Sequence, residues 1–502
     1  MELSERAFPV RMRRVAVVAL ASRVRPVLVV LATAGTVDLA GPLGTGEGQA
    51  LEALRRIESA SGGGARVAPV LSIQAPNVEQ LERRGALELL GGEVELERRR
   101  ASAVRRGRFA LFVGWAPEPE LAALAARLQP LGASLVPLRA PRGVQPPTLL
   151  APAPAAEPFQ PLVSTYGAVP YDDLDPTLFV ALTYCVMFGM MFGDVGDGIL
   201  IVAAALALRS ARQPRWPSLR KGWPMIAAAG VAAVIFGGLY GELFGPTKVL
   251  PTVWLAPLDS PTRLLAAAVL FGGCLLAAGY AIGIVNRWRE GGAPLALTAG
   301  SGVPGLGLLL GGALIVLGNL GHAGAVEVGG LAVAGLALLA LAVGLRSEAG
   351  GGGGAVGVVL IGAFDAVVRV FSNVFSFARL AAFGLMHAAI GQVVFHAAAS
   401  LTGTAIGDLA GATVFVAGGT VAFALEGLVV AVQALRLEYY ELFSRMFTRE
   451  GRPFTPWRLP LFSNEFRSAR RPAAGENRCR TRALGREMMG VVCRTPHSLW
   501  CL

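Results

Sequence analysis

The sequence predicts N-terminal soluble α/β lobes with helical arms, followed by a polytopic all-α membrane domain of about eight helices, the last two of them long. Three observations carry this. The 502 residues are 54% hydrophobic and only 16% charged, too apolar for an ordinary soluble globule. Charges recur every few residues up to about Tyr171, whereas residues 178–447 hold long runs almost without them, the pattern of membrane spans. Between the halves lies "GVQPPTLLAPAPAAEP", residues 143–158, whose prolines can continue neither a helix nor a central strand. The expected organisation is a domain over residues 1–158, a membrane domain over 159–460 and a basic, disordered tail over 461–502.

Composition also excludes several functions. The formal charge of +11 comes from basic residues without interleaved aromatics, many of them flanking apolar spans; they read as topology signals, so no nucleic-acid partner is expected. Cys185, Cys274, Cys479, Cys493 and Cys501 form no CxxC pair, which gives no disulfide framework, metal site or cofactor site. A phosphate-cradling GxxxxGK[ST] loop is absent, and "EAGGGGGAVG" at 348–357 lacks the following lysine, so the chain is not expected to hydrolyse nucleotide. A signal peptide is not read at the start, because Arg23 and Arg25 interrupt the apolar run.

In the soluble portion, "VAVVALA" reads as a strand, "RPVLVVLATAG" as a helix ending at Gly35, and "TVDLAG" as a second strand. Residues 46–104 carry leucines at three- and four-residue steps among Glu and Arg, the mark of amphipathic helices. "RFALFVGWAP", "EPELAALAARLQPLG" and "ASLVPLRAP" then read as strand, helix and strand. The order suggests two small α/β lobes joined by helical arms.

The apolar segments are 178–208, 223–245, 263–286, 295–319, 326–345, 355–400 and 410–447. The first would stretch about 46 Å as one helix, well beyond a hydrocarbon core of about 30 Å. In its middle lies "FGMMFGDVGDG", with Asp194 and Asp197 among four glycines. A turn there places Arg209, Arg212, Arg215, Arg220 and Lys221 inside with Arg287, Arg289 and Arg346, leaving only Lys248 and Arg263 outside, as the positive-inside rule asks. Eight crossings with both termini cytoplasmic follow, in a multi-pass membrane protein.

Polar residues inside the membrane are not scattered. Asp365, Arg369, Ser372, Ser376 and Arg379 follow steps of four, three, four and three, and Glu426, Gln433, Arg436 and Tyr440 steps of seven, three and four; each set forms one helix face. Two such faces can line a hydrated path. For Asp365 and Arg369 a plain i,i+4 ion pair is the competing reading. Arg379 lies 24 residues into its segment and 21 before its end, too deep to snorkel, and a charge there marks function. His387 stands either as a packing residue or as a proton relay, and Glu426 as a pathway or an interfacial acid. Asp194 and Asp197 read as turn residues, and Glu242 as a helix-end acid or the partner of a positive group.

These motifs together resemble the a/I subunit, the 116 kDa subunit family, of V-type and bacterial V/A-type rotary ATPases. The resemblance runs from about Met12, the family-like start, to Trp457 and is carried by "PFQPLVSTYGAVPYDDLDPT", "FGMMFGDVGDG", "LYGELFG", "FSFARLAAFGLMHAAI" and "ALEGLVVAVQALRLEYYELFSRMF". It implies a stator whose ion half-channels exchange H⁺ or Na⁺ with a proteolipid ring bearing a membrane carboxylate. It also implies peripheral-stalk partners for the soluble domain, and central-stalk and catalytic sectors elsewhere in the complex. By resemblance Arg379 and Arg436 are the ion-translocation arginines, and Glu426 and His387 lie on the path; Gln433, Ser376, Asp365 and Arg369 join the lining through their place on the two polar helix faces. Arginine suits such a post because it cannot deprotonate. The soluble portion is short for the family, mainly in its helical arms. A secondary transporter with a midplane charged site is the alternative, but it requires internal repeats that are not found.

Overall fold

The computed structural model describes residues 8–41, 48–60, 68–141, 143–210, 220–247, 249–350, 354–447 and 449–462. Arg212, Arg215, Lys248 and the tail beyond Phe462 lie outside the described residues. Contacts divide the chain into two units, one of residues 1–44 and 99–458, the other of 45–98 and 459–502.

The first unit opens with β1 (Met12–Leu20), α1 (Val24–Ala34) and β2 (Asp38–Leu39). Gly35 ends α1 in the left-handed region at φ 59°, its N–H returning to the Leu31 carbonyl, as a helix C-terminus prefers. Helices α2 (Gln49–Ala60), α3 (Val78–Arg83) and α4 (Leu87–Ala101) follow, then β3 (Val104–Arg106), β4 (Phe109–Pro117), α5 (Leu121–Leu128) and β5 (Ser134–Leu138). The expected two lobes are in fact one sheet. Its order is β2-β4-β1-β5 with β3 on β4, every pair antiparallel. Each β-α-β half is split by a strand of the other. The cause is burial: Val15, Ala16, Val17 and Ala19 of β1 are all buried, and a strand so apolar needs a neighbour on each edge. The C-terminal stretch returns to this sheet, with Arg452 paired to buried Asp38 at 2.9 Å and the Trp457 N–H donating to the Val37 carbonyl at 3.0 Å.

In the second unit α2, α3 and α4 bring together buried Ala53, Leu81 and Leu90, and Arg56 forks onto Glu82 at 2.7 and 3.0 Å. Asn77 caps α3 by accepting from the Gln80 N–H, and Gly85 at φ 61° separates α3 from α4.

The remaining helices are α6 (Gln160–Tyr166), α7 (Thr177–Met191), α8 (Val195–Ser210), α9 (Trp223–Tyr240), α10 (Pro261–Thr298), α11 (Val303–Leu320), α12 (Gly324–Glu348), α13 (Ala355–Ser376), α14 (Ala378–Ala399) and α15 (Ala405–Leu437). A π-helical turn, Glu438–Phe443, and a last turn, Ser444–Met446, prolong α15. Among the described residues, six stretches are long and apolar enough to cross a membrane: 223–240, 261–298, 303–320, 324–348, 355–399 and 405–446.

Between α7 and α8 the chain reverses over Phe192–Asp194. The sites where a Cβ would strike α9 record the reversal: Gly189 faces Ala232 and Gly193 faces Tyr240 in parallel order, whereas Gly198 faces Val234 and Val195 faces Gly237 in antiparallel order. Small residues allow this approach of backbones. A Cβ at Gly237 would stand 2.3 Å from the Val195 nitrogen.

Helices α13 and α14 meet at Phe377 through i→i−3 hydrogen bonds, Phe377 N–H to Val374 at 3.2 Å and Leu380 N–H to Phe377 at 3.0 Å. The Phe377 ring is fully buried and occupies the space left by Gly272 of α10, where a Cβ would come within 2.1 Å of its Cγ. Below the bundle, buried Asp173 lies beside the Arg287–Glu290 pair, whose charged atoms are 2.6 Å apart. Asn286 accepts from the Leu174 N–H and donates to the Met446 carbonyl, each at 3.1 Å, tying the entry loop to the end of the last helix.

Candidate functional site

Arg379 occupies the first turn of α14, directly after the Phe377 joint, with its side chain 25% exposed. Its Nη2 lies 3.1 Å from Glu441 Oε1, while Nη1 is buried without a hydrogen-bond partner. Glu441 belongs to the π-helical turn and is buried. With its amide oriented as its neighbours require, Asn373 donates to Glu441 Oε2 at 3.2 Å and accepts from Arg445 at 2.6 and 3.0 Å. Arg445 in turn lies 5.8 Å from the centre of the Tyr280 ring. Glu438, fully buried, accepts from Thr183 Oγ1 at 2.9 and 3.1 Å.

The π-helical turn explains why spacing missed these partners. One extra residue per turn rotates the face of the last helix, so that Glu438 and Glu441 point inward and Tyr440 is 69% exposed. Within the expected stripe of Glu426, Gln433, Arg436 and Tyr440, the first three precede this turn and differ in burial all the same. Glu426 is buried and Gln433 half-buried, whereas Arg436 and Tyr440 are exposed. A signal was available: Glu438, Glu441 and Arg445 follow steps of three and four.

On the α13 side of Arg379 the polar groups open onto a cavity of about 460 Å³ lined by Tyr280, Glu348, Asp365, Arg369 and Arg445. Asp365 and Arg369 form an i,i+4 ion pair, both side chains more than half exposed. The i,i+4 ion pair is thus present, and both residues also border this cavity. Ser376 is part-buried at the end of α13.

On the far side, two turns along α14, a second cavity of about 470 Å³ is lined by Asp197, Phe244, His387, Gly391, Phe423 and Glu426. His387 Nδ1 lies 2.6 Å from Glu426 Oε2. Asp197 Oδ2 stands 4.0 Å from His387 Nε2, and the Phe192 ring packs on the imidazole at 4.7 Å. Asp194 accepts from the N–H groups of Asp197, Phe244 and Gly245 at 3.0, 2.9 and 2.7 Å, capping α8 and fixing the loop after α9. The sequence treated Asp194 and Asp197 as turn residues and Glu242 as a helix-end acid or the partner of a positive group. The reversal at Phe192–Asp194 instead carries them to His387, more than 140 residues away.

Helices α13 to α15 differ from the rest of the bundle in how little they bury. Of the most apolar window, 6% is buried in 355–399 and 11% in 405–446, against 22–33% in the other four stretches. Leu425, Leu428, Val432 and Tyr440 are exposed on α15 and its extension, and Phe364, Phe371 and Phe375 on α13. A face this apolar suits lipid or another membrane helix.

The sequence pattern of the V-type ATPase 116 kDa subunit family matches residues 104–289. The chain is 28% identical over 353 residues to an A-type ATP synthase subunit I of Aeropyrum pernix, covering 60% of this chain and 50% of the relative. It is 27% identical over 371 residues to the A-type ATP synthase subunit I of Thermococcus kodakarensis, 70% of this chain and 54% of that one. A human V-type proton ATPase 116 kDa subunit a 3 is 30% identical over 133 residues, 24% of this chain and 16% of the relative. The chain thus spans about half the length of these first curated relatives.

Proposed function

We propose, from the match of residues 104–289 to the V-type ATPase 116 kDa subunit family and the similarity to its relatives, that the chain is the ion-conducting stator subunit of a V/A-type rotary ATPase. One observation carries the reading. In chain order Arg379 lies between Asp365 and Arg369 of α13, which line one cavity, and His387 of α14, which lines another, on helices whose apolar faces are left largely uncovered by their own chain. A proteolipid ring would cover those faces and bring its carboxylate past Arg379 and Arg436.

The physical logic follows from desolvation. A rotor carboxylate in lipid stays protonated because burial disfavours its charge. Beside a fixed guanidinium the ionised form is favoured, and the ion leaves into one cavity; it must reload from the other before re-entering lipid. Asp365, Arg369, Ser376 and Gln433 would serve one path, His387 and Glu426 the other. Arg379 pairs with Glu441 through Nη2 and buries Nη1, yet its side chain stays 25% exposed; that exposed part is what the rotor carboxylate would meet.

Counting α7 and α8 as two short crossings gives eight, with both termini on the cytoplasmic side. The soluble domain, residues 1–158, would join the peripheral stalk, while the catalytic sector supplies ATP chemistry that this chain lacks a loop to perform. In the reconstituted complex, Arg379→Ala should abolish ATP-driven pumping, a loss of at least a hundredfold, while ring and stator still co-purify. Normal pumping by that variant would remove Arg379 from the mechanism.

A further inference from the structure

Asp194 lies at the reversal between α7 and α8, Glu242 just past α9, and His387 in the middle of α14, and one ligand atom of each lies within 4.8 Å of the others. All three are more than nine-tenths buried, at 0%, 3% and 6% exposure. His387 is gripped from behind, its Nδ1 held by Glu426, which leaves Nε2 buried without a hydrogen-bond partner. A carboxylate that fixes one imidazole nitrogen and so aims the other is the outer-shell arrangement that orients a metal-binding histidine. Asp194 is fixed in the same sense by three backbone N–H groups. Among the described residues no lysine or arginine hydrogen-bonds to the cluster, and acids this deep need a proton or a cation to offset burial.

We propose that Asp194, Glu242 and His387 form a binding site for a divalent transition-metal ion of the Zn²⁺ class, with Asp197 beside the open position. An imidazole among carboxylates suits zinc better than magnesium or calcium, which prefer oxygen alone. Ligand atoms about 2.0–2.1 Å from a tetrahedral zinc stand about 3.3–3.4 Å apart, so atoms that lie within 4.8 Å of one another must close by at most about 1.4 Å. Asp194 is pinned, and the long arm of Glu242 makes the movement. The bound ion would occupy the His387 nitrogen that faces Asp197 and so stop ion exchange through the cavity; this blockade, though not the binding, rests on the function proposed above.

The test is a titration of the intact complex with Zn²⁺ alone, read by a competing indicator dye, after cysteines have been alkylated so that no thiolate contributes. One saturable Zn²⁺ per chain is expected. His387→Ala and Glu242→Gln should each weaken it at least tenfold, with His322→Ala and His396→Ala binding as the parent does. Should His387→Ala fail to assemble, His387→Gln together with Glu242→Gln decides. No saturable binding by the parent, or binding unaltered in the His387 and Glu242 variants, overturns the site. Binding that leaves pumping at its normal rate keeps the site and removes this cavity from the ion path.

Discussion

At the scale of single residues, the notable fact is that Arg379 has a partner within its own chain. Removing one member of a buried ion pair leaves the other charge uncompensated, which costs about 3–5 kcal/mol when burial is complete. Arg379 remains 25% exposed, so solvent screening reduces the cost to about 1–2 kcal/mol. Glu441→Gln is therefore expected to lower the unfolding midpoint by a few degrees, and Glu441→Asp to recover part of it. Because the guanidinium loses its anchor, pumping should also fall about tenfold, the equivalent of about 1.4 kcal/mol in a barrier. An unfolding midpoint unchanged in Glu441→Gln would mean that the pair contributes no stability. Sequence spacing located Arg379 itself, since a guanidinium deep in an apolar run has few explanations. It did not locate Glu441, because a regular 3.6-residue period was assumed through a turn that is π-helical.

At the scale of elements, the joint between α13 and α14 sets where Arg379 points. The Phe377 ring enters a niche that exists only because α10 has glycine at position 272. Gly272→Val would force the ring out or push the helices apart. Overpacking of this kind typically costs about 1–3 kcal/mol. The expected result is a lower thermal midpoint together with loss of pumping; Gly273→Val, beside it in open space, should leave both nearly unchanged. The strands and helices of the soluble portion were legible to within a few residues, because alternation and amphipathic periods are local signals. Their arrangement was not. Whether two β-α-β units build two sheets or one depends on pairing between distant strands, here β4 with β1, which no local period encodes. The reversal at Phe192–Asp194 was legible for a different reason: the positive charges after it had to lie on one side.

At the scale of the whole molecule, the entry loop before α7 is tied through Asn286 of α10 to the end of the last helix. Burial and the neighbouring Glu290 carboxylate push the Asp173 carboxyl up to about 7, against the partial offset of Arg287. An acid whose pKa is raised in the folded state binds its proton more tightly there than when unfolded. Its contribution is full below the ordinary carboxylate range and is lost as the pH climbs toward 7. The loop should accordingly loosen over about pH 4 to 7, seen as faster amide exchange at Leu174, and Asp173→Asn should flatten that dependence. Exchange insensitive to pH beyond its intrinsic rate would show that Asp173 does not titrate as described.

The sparse self-burial of the two terminal helical stretches has a biogenetic consequence. A copy that has not met its neighbours presents a broad greasy flank, with a permanent cation partway along it, and therefore looks to membrane surveillance like an orphan. Its lifetime would then be set by how soon that flank is claimed, and its abundance would follow the supply of whatever claims it.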